Sequence, residues 1–161
     1  MENKTKKTIL TYIIAIIIPL AVGGLASIIT KPNMNIYDSV QKPPLAPPGI
    51  LFPIVWGVLY ILMGVSSAIV YLNREKDVKN ADYVITIYAT SLIFNFFWSI
   101  FFFNFEWFLL SFVWLVALLL LIIATTLYYK KISPLSAILQ IPYIIWVTFA
   151  GYLNLAIYLL N

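Results

Sequence analysis

The 161-residue sequence contains no cysteine and no histidine. Their absence excludes disulfides, zinc and iron–sulfur centres held by these side chains, the usual axial ligands of haem, and catalysis by a Ser–His or Cys–His pair. We therefore expect neither a metal site nor a resident cofactor. Charged residues are also scarce, at 10% of the chain, whereas a typical soluble domain has about 25%.

Apolar residues, by contrast, make up 63% of the chain. A small soluble fold has too little interior relative to its surface to bury such a share. The composition therefore predicts an integral membrane protein in contact with the lipid bilayer. The net charge of +4 is mild, and the cations stand in short clusters beside apolar runs, so no nucleic-acid partner is expected.

Uncharged stretches of about 20 residues match a hydrocarbon layer roughly 30 Å thick. The stretch from Tyr83 to Tyr129 would be about 70 Å long as one helix, so it must fold back near the single charge at Glu106. The sequence predicts one all-α domain, a bundle of five transmembrane helices. The spans are expected at about 8–30, 50–72, 81–103, 106–129 and 134–160, with a proline-rich outer loop at 31–49.

Lysine and arginine are distributed unevenly between the two sides of such a bundle. Only Lys31 and Lys42 fall on one side, and the other side carries Lys4, Lys6, Lys7, Arg74, Lys76, Lys79, Lys130 and Lys131. By the positive-inside rule the N-terminus is expected inside and the C-terminus outside. Helical spans with lysine-biased inner connections fit the cytoplasmic membrane of a bacterium better than an outer-membrane barrel. A cleaved signal peptide is the alternative for the first span, but the apolar run continues well past Ile18.

Polar, small and aromatic residues recur at helical spacing along four of the spans. The sets are Trp56, Tyr60, Met63 and Ser67; Ser91, Asn95, Trp98 and Ser99; Trp107, Ser111, Trp114 and Ala117; and Trp146, Ala150 and Asn154. Such faces either pack helix on helix or line a ligand cavity. The large rings beside the polar groups suit a large, flat, apolar ligand better than an ion.

The segment Gln41–Gly49 contains four prolines in nine residues. Proline fixes φ and removes a backbone donor, so the segment is expected to be a stiff, extended strap. A strap across the outer end of the bundle is either a spacer or a lid.

Three parts of the sequence resemble one family. The loop VQKPPLAPPG at 40–49 leads into Val55–Tyr60 and Met63-Gly64, the third span contains LIFNFFW at 92–98, and the last span contains Ser133-Pro134-Leu135, Pro142-Tyr143, Trp146, Phe149 and Leu153-Asn154. In order and spacing they resemble the translocator protein family, the TspO/MBR or tryptophan-rich sensory proteins. The resemblance runs from about Tyr37 to the end.

The resemblance implies a five-helix membrane receptor, commonly a homodimer, that binds porphyrins such as protoporphyrin IX and related flat hydrophobic molecules between its helices, under the first loop. By position it implies a ligand site made of Tyr37, Pro47, Trp56, Asn95, Trp98, Ser99, Trp114, Ala117, Trp146, Phe149 and Ala150. Tyr60, on the same helical face as Trp56, completes the candidate set.

The sequence departs from the family pattern in the loop. Leu45 and Ile50 stand where aromatic residues are usual, and Pro53 lies one residue earlier than the corresponding proline of some members. No basic residue follows Tyr152 or Tyr158, so the tyrosine-plus-cation motif proposed for sterols is not supported at these positions.

Three functions remain open from the sequence. The first is a porphyrin-binding receptor or sensor. The second is light- and oxygen-dependent degradation of the porphyrin, for which the resemblance points to Trp56 and Trp146. The third is a tetrapyrrole transporter, which is less favoured because no charge within the spans offers coupling to an ion gradient.

Overall fold

The computed structural model describes residues 2–76 and 78–161. Asp77, in the polar connection after α3, lies outside the described residues. Lys79, one of the cations used above to orient the chain, is described in its backbone only. Within the described residues the elements are all helical. They are α1 (Glu2–Thr30), α2 (Ile36–Ser39), α3 (Leu51–Leu72), α4 (Val78–Ser99), α5 (Phe108–Ile132) and α6 (Pro134–Leu160), with 3₁₀ turns at Lys31–Asn33 and Arg74–Lys76.

Five of these helices are long and apolar enough to cross a membrane, namely α1, α3, α4, α5 and α6. The prediction of an all-α membrane bundle with five spanning helices is confirmed. The short helix α2 was not predicted and lies in the loop between α1 and α3. We call the end of the bundle that carries this loop the loop end, and the opposite end, with Arg74 and Lys130, the lysine end.

The five long helices form a closed ring in cross-section. α1 packs against α3 and α4, α6 packs against α3 and α5, and α4 packs against α5. The order around the ring is thus α1, α3, α6, α5, α4. Helices α3 and α4 face each other across the ring, and their inward side chains meet in one aromatic core.

Local sequence explains where two of the helices end. Ser133 is extended (φ −153°, ψ 115°), as is favoured for a residue before proline. Pro134 then occupies the first turn of α6, where its missing N–H costs nothing. The apolar run of α4 continues as a π-helical turn at Ile100–Asn104 and ends at Glu106, whose φ of 56° reverses the chain into α5.

Glycines allow α1 and α3 to approach closely. A Cβ atom on Gly64 would lie 2.5 Å from the Cα atom of Ile16 and 2.7 Å from the carbonyl oxygen of Ala15, and a Cβ atom on Gly23 would overlap the ring of Tyr60. Small residues at a membrane-helix interface bring the two backbones together in this way. The contact fixes the inward direction of Tyr60.

The loop from residue 31 to residue 50 is extended only in parts. Besides α2, it contains a turn in which the Ala46 N–H donates to the Pro43 carbonyl (3.2 Å) and Leu45 has a φ of 70°. Proline at the second position of a turn favours this geometry, although the third position usually holds glycine or asparagine. The expectation of an extended strap is therefore wrong in this part of the loop.

Side chains tie the loop to the ends of the helices. The Tyr152 hydroxyl donates to the Pro44 carbonyl (2.9 Å), and the Asn161 amide accepts from Gln41 N–H (2.9 Å) and donates to the Gln41 carbonyl (3.2 Å). These contacts hold the loop against the last three turns of α6, at the loop end of the bundle.

Candidate ligand site at the loop end

Trp56 is at the centre of an aromatic cluster inside the ring. Its indole stacks on Tyr60 (ring centroids 5.5 Å apart), meets the edge of Tyr143 (6.0 Å) and lies 6.2 Å from Trp98. Trp98 in turn lies 5.9 Å from Phe102, which the π-helical turn directs inward. Rings from α3, α4 and α6 thus converge, although each spacing in the sequence placed them only on separate helix faces.

Asn95 connects three helices through the middle of this cluster. Its Oδ1 accepts a hydrogen bond from the Tyr60 hydroxyl (3.1 Å), and its Nδ2 donates to the Tyr143 hydroxyl (2.8 Å). All three side chains are buried. In a low-dielectric interior such a chain of bonds orients every member, because an unpaired polar group is costly there.

Asn154 makes a second polar centre, nearer the loop end. Its Oδ1 accepts from the Trp98 indole N–H (3.1 Å) and lies 2.9 Å from the Ser111 hydroxyl, while its Nδ2 donates to the Phe108 carbonyl (2.8 Å). The Ser111 hydroxyl also lies 2.9 Å from the Phe108 carbonyl. Because it has a single proton, it donates to either this carbonyl or the Asn154 Oδ1 at one time. Helices α4, α5 and α6 meet at this amide.

Trp146 connects the aromatic cluster to the loop. Its ring meets Phe52 at 5.8 Å and Phe149 at 5.7 Å, and Phe52 meets the ring of Tyr37 at 5.0 Å. The indole Nε1 of Trp146 is buried and has no hydrogen-bond partner among the described residues. Buried polar groups are normally paired, so this N–H is a donor available to an acceptor atom.

The loop covers this part of the site through Tyr37. The Tyr37 hydroxyl donates to the Pro47 carbonyl (2.8 Å), and the ammonium of Lys42 lies 4.6 Å from the ring centre. Burial, and after it the charge of Asp38, raises the pKa of Tyr37 above its usual value. The phenol proton, and with it this bond, is therefore kept at neutral pH and lost only when the pH rises through the raised pKa.

Some candidate residues lie apart from the Trp56 cluster. Trp114 stacks on Phe94 (4.2 Å) and donates to its carbonyl (2.8 Å), at the seam between α4 and α5. The Ser99 hydroxyl bonds its own helix at the Phe96 carbonyl (2.9 Å). Ala117 is half-buried on α5, whereas Ala150 is buried beside Trp146 on α6.

Three residues that contact candidate residues in the structure were not in the set predicted from the sequence. They are Phe52, Tyr143 and Asn154. One signal in the sequence pointed to each of them. Asn154 continues the face of Trp146 and Ala150, and Tyr143 belongs to the quoted proline–tyrosine pair. Phe52 lies four residues before Trp56, one turn earlier on the same helix face.

The fold and the site define a class: a five-helix integral membrane protein with a tryptophan- and tyrosine-rich interior closed by a proline-rich loop. The family model described as the TspO/MBR family matches residues 15–160. The chain belongs to the TspO/MBR family.

Relatives match the chain over most of its length. It is 38% identical to the tryptophan-rich protein TspO of Chlorobaculum tepidum over 157 residues, which cover 96% of this chain and 98% of that protein. It is 35% identical to the protein CrtK of Rhodobacter capsulatus, with 94% of each chain covered. The translocator protein of Ovis aries is 34% identical over 118 residues, which cover 73% of this chain and 70% of that protein.

Proposed function

We propose that this protein is a membrane receptor or sensor that binds porphyrins, such as protoporphyrin IX, and related flat hydrophobic molecules at the loop end of its helix bundle. The names of its relatives describe sensory and translocator proteins. The faces of flat conjugated rings stack favourably on indole and phenol rings. Trp56, Trp98, Trp146, Tyr60 and Tyr143 supply such rings from three helices.

The observation that carries the proposal is the buried indole N–H of Trp146, which has no hydrogen-bond partner in the part of the chain that the structure describes. The Trp146 ring contacts Phe52 and Phe149, and Phe52 in turn contacts the ring of the loop residue Tyr37. A carboxylate or carbonyl on the rim of a flat ligand would accept this hydrogen bond while the ring system stacks on the aromatic side chains. This hydrogen bond would contribute strongly to the binding free energy, because a buried donor without a partner has lost its bond to water and gained nothing in return.

Binding requires rings to separate, because the candidate side chains pack against one another in this structure. Trp98 is 7% exposed and Tyr143 is 2% exposed, whereas Trp56 and Trp146 are only half-buried. The two half-buried indoles are the ones that can move. The loop contact of Tyr37 with Phe52 must open with them, and the loop then acts as a lid.

The test is a titration of the detergent-purified protein with protoporphyrin IX in the dark, followed by quenching of tryptophan fluorescence. Wild type is compared with Trp56→Phe and Trp146→Phe, with correction for light absorbed by the porphyrin. Trp107→Phe is the matched control, because this indole is 53% exposed in the α4–α5 turn and stacks on Phe105 rather than in the cluster.

The expected result is saturable quenching with about one porphyrin per chain, weakened at least tenfold in Trp146→Phe because one hydrogen bond and its geometry are lost. Trp56→Phe is also expected to weaken binding, and Trp107→Phe to leave it unchanged. Quenching that never saturates and is the same in all four proteins would mean that the porphyrin only partitions into the micelle. That outcome would overturn the proposal and leave the fold intact.

Illumination of the same complex in air tests the degradation alternative. The chain has no histidine or cysteine, so any such reaction would depend on the light-excited ligand and the neighbouring indoles. A bound porphyrin whose absorption spectrum survives illumination excludes this alternative. Proteoliposomes that fail to accumulate porphyrin count against transport, which the uncharged spans already disfavour.

We further propose that the lysine end is cytoplasmic, in the cytoplasmic membrane of a bacterium, and that the protein is a homodimer. The asymmetry of lysine and arginine supports the orientation. Because the chain has no cysteine, the single variants Ser39→Cys and Glu75→Cys report it directly. An impermeant thiol reagent applied to intact cells should label only Ser39→Cys, and chemical crosslinking in membranes should show whether the chain pairs.

A further inference from the structure

Helix α5 carries an unbroken apolar track on its outer face. Exposed residues recur at spacings of three, four, three and four, at Val113, Val116, Leu120, Ile123 and Leu127. Leu120 and Leu127 are among the most exposed leucines of the chain, at 63% and 60%. Such a spacing keeps all five side chains on one face of the helix. In a membrane this face meets either acyl chains or another helix.

The track ends at a basic groove at the lysine end. This groove, about 560 Å³ in volume, is lined by Leu127, Tyr128, Lys130 and Lys131, and no acidic residue is part of the lining. The Lys131 ammonium lies 4.7 Å from the centre of the Tyr128 ring, and Tyr83 packs edge-on against that ring at 5.2 Å. The aromatic pair therefore fixes Lys131 beside the groove.

Lys130 and Lys131 are both exposed. Neither forms an ion pair with any of the described residues, in contrast to Lys42, which pairs with Asp38. Two adjacent cations that have no carboxylate partner among the described residues, at the level where an apolar helix face ends, complement a phosphate group at the membrane surface. Long lysine side chains at the end of a membrane helix place their charge in the headgroup layer while their aliphatic stems cover apolar surface.

A second copy of the chain fits this face less well. In a dimer with its two-fold axis along the membrane normal, the two copies of one helix present the same residues at the same depth. Pairing along this track would bring Lys130 and Lys131 against the same two lysines of the partner. Like charges that meet at an interface oppose association, whereas an anionic lipid neutralises them.

We propose that this surface is a binding site for an anionic phospholipid. The phosphate is held by Lys130 and Lys131 in the groove beside Tyr128. One acyl chain lies along Leu127, Ile123 and Leu120. The site lies on the outside of the bundle, on α5, so it is separate from the aromatic interior and does not depend on the function proposed for it.

The test is native mass spectrometry of the full chain released from micelles that contain phosphatidylglycerol or phosphatidylcholine with identical acyl chains. Wild type is compared with a Lys130→Gln/Lys131→Gln double variant at low ionic strength. The matched control is Lys4→Gln/Lys7→Gln, which removes the same charge from exposed residues at the same end of the bundle, on α1. Leu127→Ala tests the acyl-chain contact.

We expect wild type to retain one phosphatidylglycerol molecule in preference to phosphatidylcholine. The Lys130/Lys131 variant should lose roughly 30-fold in affinity, since each lysine near an anionic surface contributes about 1 kcal/mol. The Lys4/Lys7 variant should keep the lipid, and Leu127→Ala should weaken it modestly. Water-soluble glycerophosphoglycerol, which has the headgroup without chains, should not compete at equal concentration.

Equal loss in both double variants would show that net charge rather than a site holds the lipid, and would overturn the proposal. Full competition by the soluble headgroup would reduce the site to a phosphate-binding surface and would also overturn it. Unchanged lipid retention in the Lys130/Lys131 variant, together with an altered dimer fraction, would overturn the proposal as well. The face would then be an interface between copies of the chain.

Discussion

The Trp98 indole donates a hydrogen bond to the Asn154 side chain at 3.1 Å, which joins α4 to α6 across the interior of the ring. Asn154 is 1% exposed and also contacts Ser111 and the Phe108 carbonyl of α5. One amide therefore fixes the mutual position of three helices, and it orients the Trp98 ring that faces Trp56.

Replacement of Asn154 by leucine should destabilise the bundle by roughly 1–3 kcal/mol, because it leaves the Trp98 N–H without an acceptor in a dry interior. Equilibrium unfolding in mixed micelles, followed by circular dichroism, measures this free energy. Asn35→Leu is the control, since Asn35 is exposed and its side chain makes no capping bond. An equal effect in the two variants would contradict the assignment.

Gly64→Ala should also lower the free energy of unfolding, by about 1–3 kcal/mol, because the added methyl group meets the backbone of α1 at Ile16 and Ala15 and forces α1 and α3 apart. Gly24→Ala is its counterpart, since a Cβ atom there has no neighbour within 4 Å. It should be neutral or stabilising by up to about 1 kcal/mol, through helix propensity. The same unfolding measurement separates the two, and a neutral Gly64→Ala would refute the close approach.

Tyr37→Phe should loosen the loop without unfolding the helices. The variant keeps the contact of the ring with Phe52 but loses the hydrogen bond to the Pro47 carbonyl. Hydrogen–deuterium exchange should increase in the peptide that covers residues 36–52 and stay constant in α4 and α5. Tyr158→Phe, at an exposed position on α6, is the control. Unchanged exchange in the loop would mean that the hydrogen bond of Tyr37 to the Pro47 carbonyl does not hold it closed.

Trp114→Phe should weaken porphyrin binding much less than Trp146→Phe does, although the family resemblance assigns both residues to the ligand site. Trp114 already uses its N–H on the Phe94 carbonyl and stacks on Phe94 at 4.2 Å, so it has no donor to offer a ligand. Its loss should appear mainly as lower stability of the α4–α5 seam. A tenfold loss of affinity with unchanged stability would instead place Trp114 in contact with the porphyrin.

The sequence by itself determined the class of protein and its coarse plan. Long uncharged runs must cross a bilayer as helices, because a spanning segment has to satisfy its backbone hydrogen bonds internally. A run longer than the membrane must fold back, and the single charge at Glu106 marks the place. Ser133-Pro134 likewise fixes the boundary between α5 and α6.

Only the tertiary structure decided which faces meet. Helical spacing gives the angular position of Asn95 or Trp146 on its own helix, but it contains no information on which helix lies opposite. The ring order supplies the partners, so that Asn95 bonds Tyr60 and Tyr143, while the Trp146 N–H finds no partner among the residues that the structure describes. The bend at Leu45 was hidden for a similar reason, because a left-handed turn at a leucine is set by the contacts that hold the loop on α6 and not by the preference of the residue.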